Sequence, residues 1–117
     1  MSDSPPSPGA LARFDELIAR LGTSPDVHVG TSWGGTPDLR VSGKIFAMLS
    51  RGELVLKLPR QRVDHIVAAG DGTRFDPRRN GRVMKEWVSM PDARLDGWPE
   101  LADEALAFVR GLATRSD

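Results

Sequence analysis

The chain is 117 residues long and contains no cysteine, which excludes disulfides and thiolate metal sites. Its 16 basic residues balance 16 acidic ones, which argues against a dedicated nucleic-acid binder, because such proteins are usually basic overall. No apolar run approaches the roughly 18 residues that cross a bilayer, and the acidic, Pro/Ser-rich N-terminus is unlike a signal peptide. We therefore expect one cytoplasmic domain with no membrane association.

The first third of the chain predicts a leader, a helix, a strand and a loop. Residues 1–9 form the expected disordered leader. Apolar residues at helical spacing follow it, and Gly22 stops the helix. These apolar residues are Leu11, Phe14, Leu17, Ile18 and Leu21. Val27 and Val29 alternate with polar residues, which predicts a short strand. Residues 30–38 are rich in glycine and predict a loop or an irregular edge.

The middle of the chain predicts a hairpin followed by a short helix. Residues 39–50 favour β-structure and are expected to form one strand, which a tight turn at Gly52 joins to a second strand over residues 53–58. Three leucines share one face of that second strand: Leu54, Leu56 and Leu58. Pro59 suits the first turn of a helix, and Gly70 suits its left-handed C-cap.

The last third predicts a second hairpin and a long helix. Residues 73–75 and 82–90 read as strands, and Asn80-Gly81 between them is a strong hairpin signal because both residues tolerate positive φ. An apolar stripe at helical spacing then predicts the final helix. Its members are Trp98, Leu101, Ala105, Phe108, Val109 and Leu112.

The predicted element order is α-β-β-β-α-β-β-α. Such an order is typical of an α+β fold, in which helices pack on an antiparallel sheet. We expect a single domain over residues 10–113, followed by a tail over residues 114–117.

Three segments resemble the MmcQ/YjbR family: GKIFAML at residues 43–49, ELVLKLP at residues 53–59 and GRVMKEWVSMP at residues 81–91. The third is also similar to the N-terminal domain of TfoX/Sxy-like proteins, a related group linked to competence regulation in some bacteria. The resemblance implies a compact α+β fold of the secretion-chaperone-like type with a double-wing motif. It also implies DNA binding, because the family is commonly described so, and it transfers no catalytic residue.

Basic residues cluster around the second predicted hairpin. They are Arg74, Arg78, Arg79, Arg82 and Lys85, opposed there by Asp76 and Glu86. In one interpretation the hairpin is a wing whose arginines donate to phosphates. In the other it is an ordinary turn that its charges keep solvated. Arg60 and Arg62 open the middle helix, where free N–H groups attract anions, although they also fit a merely exposed position.

The remaining chemistry-bearing residues predict no further site. Trp33 and Trp87 could stack on bases, but Trp87 shares a strand face with Val83 and fits a core or rim position. His28 and His65 lack a ligand spacing, so we expect no metal and no cofactor. The glycine-rich segment lacks the ending of a phosphate loop. Candidate nucleophiles, acids and bases do not converge in sequence, so we expect no enzyme.

The preferred hypothesis is a non-enzymatic DNA-binding module that contacts duplex DNA. Its expected phosphate contacts are Arg78, Arg79, Arg82 and Lys85, with Arg60 and Arg62 as secondary ones. The alternative is a protein-interaction module, either chaperone-like or self-associating as a homodimer, that uses the sheet face around residues 45–56. The hypotheses differ in whether the separated basic residues form one positive patch.

Overall fold

A computed structural model of the chain describes residues 8–31, 37–50, 52–75, 84–91 and 97–115. These residues form helices and strands that confirm the predicted α+β class. In chain order the elements are α1 (Pro8–Leu21), β1 (Val27–Thr31), β2 (Pro37–Val41), β3 (Lys44–Ser50), β4 (Glu53–Lys57), α2 (Arg60–Ala68), β5 (Thr73–Phe75), β6 (Met84–Met90) and α3 (Trp98–Arg115).

The described strands form one antiparallel sheet in the order β1-β2-β3-β4-β6-β5. The first four strands follow one another as neighbours. The chain then crosses over through α2, and β6 returns between β4 and β5. The sheet therefore ends in β1 on one side and β5 on the other.

The strand count corrects the predicted order α-β-β-β-α-β-β-α, because residues 39–50 form parts of two strands instead of one. Ser42 and Gly43 both have positive φ, at 53° and 81°, and Val41 pairs directly with Lys44 across them. Two consecutive residues with positive φ make the turn that matches the twist of antiparallel strands. A Ser-Gly pair is a turn signal, but the continuous run of apolar and β-favouring residues around it led to the prediction of a single strand.

The helices and one face of the sheet enclose a single continuous core. α3 contacts β2, β3 and β4, while α2 contacts β5 and β6, and α1 contacts α3 and β4. Trp98 is fully buried, as its place on the apolar stripe predicts, and its Nε1 donates to the carbonyl oxygen of Pro91 at 3.3 Å. In the described part of the chain, no helix is long and apolar enough to span a bilayer.

A bulge in β3 brings two consecutive residues into this core. Leu39 of β2 pairs with Ala47, but the next residue, Arg40, pairs with Ile45, so β3 has one extra residue at this point. Phe46 and Ala47 are both fully buried in the core. In a regular strand, alternation would send one of them to the opposite face. The bulge thus adds the Phe46 ring to the core.

Ion pairs join α3 to the elements around it. Among the described residues these are Arg20–Asp103 to α1 at 2.8 Å, Arg62–Glu104 to α2 at 2.8 Å, and Arg110–Asp26 to the residue before β1 at 2.7 Å. In the last two pairs both carboxylate oxygens accept a hydrogen bond. The polar flank of α3 is therefore held by ion pairs to three parts of the chain.

The Asp26–Arg110 pair predicts a loss of stability in acid. Hydrogen bonds from Arg110 lower the pKa of the Asp26 carboxyl, so folding favours its ionised form. This stabilisation is complete above the pKa of the unfolded chain, about 4, and is lost as the pH falls through the lower folded pKa. We expect Asp26→Asn to unfold at a lower urea concentration than the wild-type chain at neutral pH, and the difference to close in acid.

Urea titrations followed by tryptophan fluorescence, at neutral pH and at a series of acidic pH values, measure this difference. Glu16→Gln is the control, because it removes the exposed partner of Arg13 within a single helix and should change stability little at any pH. A difference for Asp26→Asn that stays constant into acid would contradict the prediction.

Candidate nucleic-acid interface

No described helix packs on the second face of the sheet, which we call the open face. Strand residues that alternate with core positions point to it: Arg40, Ile45, Met48, Glu53, Val55, Lys57, Trp87 and Ser89. Val55 is fully buried there between Met48 and Ser89, its partners on β3 and β6. Ile45 and Trp87 are half-buried. The open face therefore has an apolar centre within a polar and charged surround.

Four basic side chains lie at one end of the sheet, where β3 begins, β4 ends and β6 begins. They are Lys44, Lys57, Arg60 and Lys85, and we call this group the cationic end. Because β3, β4 and β6 are adjacent, their ends lie within roughly 10 Å at about 4.8 Å per strand. The backbone N–H of Leu58 donates to the carbonyl oxygen of Glu86 at 2.9 Å, which holds the start of α2 beside the start of β6.

The side chains of the cationic end have no ion-pair partner among the described residues. Lys44, Arg60 and Lys85 are exposed. Lys57 is half-buried, and its Nζ lies 5.7 Å from the centre of the Trp87 ring, within the range of a cation–π attraction. The nearby carboxylate of Glu86 is exposed, and alternation along β6 points it away from the face of Lys85. Positive charge at this end is therefore available to an anion.

The residues predicted from the sequence to contact DNA divide into three groups. Arg60 and Lys85 belong to the cationic end. Arg62 points in a different direction from Arg60, because residues two apart on a helix do not share a face. It donates to Glu104 of α3 at 2.8 and 3.1 Å. Its guanidinium is therefore engaged by a carboxylate. The remaining predicted contacts lie outside the described residues: Arg78, Arg79 and Arg82.

Clustering along the sequence is a poor guide to free positive charge in this protein. Arg74, which opens the basic cluster of the second hairpin, donates to Asp64 of α2 and so joins β5 to that helix. Lys44 and Lys57 formed no part of the predicted site, yet the pairing of β3 with β4 and of β4 with β6 brings them to the same end of the sheet as Lys85. In the sequence, both lysines could have been recognised by their position at the end of a strand, beside a turn or a helix.

An ion pair between a buried carboxylate and a partly exposed arginine lies near the β1 edge of the open face. Asp38 is fully buried, and Arg40 donates to its two carboxylate oxygens at 2.9 and 3.1 Å. These hydrogen bonds raise the pKa of the Arg40 guanidinium. Gly30 is the β1 partner of Asp38, and a Cβ on it would lie 2.5 Å from Nε of Arg40 and 2.7 Å from Oδ1 of Asp38. Glycine at this position makes room for the ion pair.

The described histidines, acidic residues and serines form few groupings. No group of three histidines, aspartates or glutamates among them could hold a metal ion. His28 on β1 and His65 on α2 are both exposed. The hydroxyl of Ser89 donates to the carboxylate of Glu53 on the open face, a polar pair that sequence spacing did not indicate. Trp33, the other candidate stacking residue, lies outside the described residues.

Comparisons with known proteins leave the family undetermined. No protein-family model, no curated protein and no solved structure matches the chain. The resemblance to the MmcQ/YjbR family and its double-wing motif therefore remain predictions from the sequence.

We expect the addition of one methyl group at Gly30 to lower the free energy of unfolding. Gly30→Ala should destabilise the chain by about 1–3 kcal/mol, because the new Cβ displaces Arg40 from Asp38 and overpacks the pair. Gly111→Ala is the matched control: a Cβ there meets nothing within 4 Å, and replacing a helical glycine should stabilise α3 by about 0.5–1 kcal/mol. Urea midpoints measure both changes, and equal shifts of the same sign would contradict the prediction.

Proposed function

We propose that this chain is a non-enzymatic nucleic-acid-binding module, with duplex DNA as its expected ligand, and that the cationic end contacts the phosphates. The observation that carries the proposal is that four basic residues from β3, β4, α2 and β6 lie at one end of the sheet, none of them held by a described carboxylate. Phosphate contacts supply essentially all of the non-specific affinity of DNA-binding proteins.

The dimensions of the cationic end suit a run of phosphates. Its strands span roughly 10 Å, and each DNA strand carries one phosphate per about 3.4 Å of helix axis. About three successive phosphates therefore fall within the reach of the lysines and the arginine. The first turn of α2 adds further donors, since it contains no acidic residue and its cap makes no side-chain hydrogen bond.

The expected binding is electrostatic and independent of base sequence. Contacts to phosphate position a protein on DNA but carry no sequence information. The chain has no net charge, so attraction depends on the local field of the cationic end. We infer an affinity that falls steeply with added salt, because each neutralised phosphate releases counterions.

A protein-interaction role is the second candidate, and a different observation favours it. The centre of the open face is apolar, with Ile45, Met48 and Trp87 half-buried beside the fully buried Val55. Such a surface fits the predicted use of the sheet face around residues 45–56. The two candidates use different groups of residues, the cationic end and the apolar centre of the open face, so substitutions at the cationic end separate them.

Neutralising the cationic end should reduce the salt dependence of DNA binding by a set amount. In the triple variant Lys44→Gln, Arg60→Gln, Lys85→Gln, the slope of log K against log salt should become shallower by about 2.7, because each neutralised phosphate contributes about 0.9 to the slope. Each single variant should lower affinity and account for about a third of that change. Fluorescence anisotropy of a labelled duplex, titrated at several salt concentrations, measures the slope.

Arg13→Gln on α1 is the matched control for each single variant, because it removes one positive charge that lies on α1, away from the sheet ends. It should leave the slope unchanged. The absence of wild-type binding at low salt, or a slope that the triple variant shares with the wild-type chain, would reject nucleic-acid binding through the cationic end.

A further inference from the structure

The two edges of the sheet differ in how they are protected against pairing with another strand. β5 is three residues long, contains Arg74, and has an irregular register with β6. Short length, charge and irregularity are the devices by which proteins block an edge. β1 has five residues, Val27–Thr31, no Lys, Arg, Asp, Glu or Pro, and an uninterrupted register with β2. The β1 edge is therefore regular and carries no lysine, arginine, aspartate or glutamate.

The hydrogen-bonding pattern shows which backbone groups of β1 point away from the sheet. The N–H of Ser42 donates to the carbonyl oxygen of Asp26 at 3.2 Å, which makes Asp26 and Ser42 a hydrogen-bonded pair. Such pairs alternate along an antiparallel ladder. His28 and Gly30 therefore bond to β2, and the backbone groups of Val27, Val29 and Thr31 face outward.

The outward groups on the two sides of Val29 match in part. The N–H of Val27 donates to the carbonyl oxygen of Ser24 at 3.1 Å, so its carbonyl oxygen is the group that remains available. Val29 and Thr31 each present both an N–H and a carbonyl oxygen, which no described hydrogen bond uses. The side chain of Val29 is 51% exposed, at the centre of the strand.

We propose that β1 is a self-association edge, to which β1 of a second copy of this chain pairs in antiparallel orientation about Val29. In this register the two Val29 residues exchange N–H to carbonyl hydrogen bonds. The Thr31 N–H of each copy donates to the Val27 carbonyl oxygen of the other. The apolar Val29 side chains lie opposite each other at the two-fold axis, and the two sheets become continuous.

A second copy fits this edge better than an unrelated peptide, because the edge is complementary to itself. A two-fold axis brings the same residues of both copies together. By that operation the N–H and carbonyl oxygen of Val29 meet their own copies, and the N–H of Thr31 meets the carbonyl oxygen of Val27. A five-residue strand buries little surface, so the association should be reversible and weak. The pairing does not involve the cationic end and does not depend on nucleic-acid binding.

A charge exchange at position 29 tests the proposal. Sedimentation velocity of the wild-type chain, from micromolar to near-millimolar concentration, should show a mass that rises toward twice that of the monomer. Val29→Lys and Val29→Glu should each remain monomeric, because like charges meet at the axis, and a mixture of the two should associate again. Leu11→Lys is the matched control, since Leu11 is the comparably exposed apolar residue of α1, at 43%, and it should associate like the wild-type chain.

A disulfide provides a second test that needs no change of charge. The chain has no cysteine, so Val29→Cys introduces a single thiol. The Cα atoms of a hydrogen-bonded antiparallel pair lie about 5.5 Å apart, which a disulfide spans. Mild oxidation should therefore link Val29→Cys into covalent dimers much faster than Leu11→Cys. A wild-type chain that stays monomeric throughout, association unaffected by Val29→Lys, or equal crosslinking of the two cysteine variants would each overturn the proposal.

Discussion

The packing of α3 against the middle of the sheet is the contact on which the rest of the structure depends. The buried stripe of α3 includes Trp98, Ala102, Ala105 and Val109, and the helix contacts three adjacent strands. The small alanines let the helix approach the sheet closely, while Trp98 fills the space at its first turn. Burial of apolar surface, at about 25 cal/mol per Å², is the main favourable term in folding, and α3 has more buried apolar residues than α1 or α2.

The position of α3 also decides which basic side chains on the surface are paired with carboxylates and which are not. Its carboxylates accept hydrogen bonds from Arg20 of α1 and Arg62 of α2, and Arg110 on α3 binds Asp26. Arginines that look free in the sequence are thereby used to hold helices together. What remains is a small set of lysines and one arginine at one end of the sheet. A chain without net charge can thus present a local positive field.

The sheet exposes a face and an edge to which other molecules could bind, and their chemistry differs. The open face has an apolar centre, and the basic residues of the cationic end lie where β3 begins and β4 and α2 meet the start of β6, which suits an extended anionic ligand. The β1 edge has a regular register and contains no lysine, arginine, aspartate or glutamate, and it presents backbone donors and acceptors on both sides of Val29. They lie on different parts of the sheet, so a self-associated form would keep the cationic end of each copy accessible.

Sequence patterns alone determined the class of the fold. The helical stripes, the alternation in the strand after Gly52 and the capping residues around α2 depend on neighbours within a few positions, so local physics specifies them.

Local patterns could not separate β2 from β3, because a two-residue turn within an apolar run gives only a weak signal. They also could not distinguish a free arginine from a paired one. The order of the strands and the packing of the helices decide which basic residue pairs with a carboxylate and which lies beside another basic residue. They bring together residues as far apart in sequence as Arg62 and Glu104. Only the tertiary structure decided that Lys44, Lys57, Arg60 and Lys85 share one end of the sheet, because electrostatic interactions act across space and not along the chain.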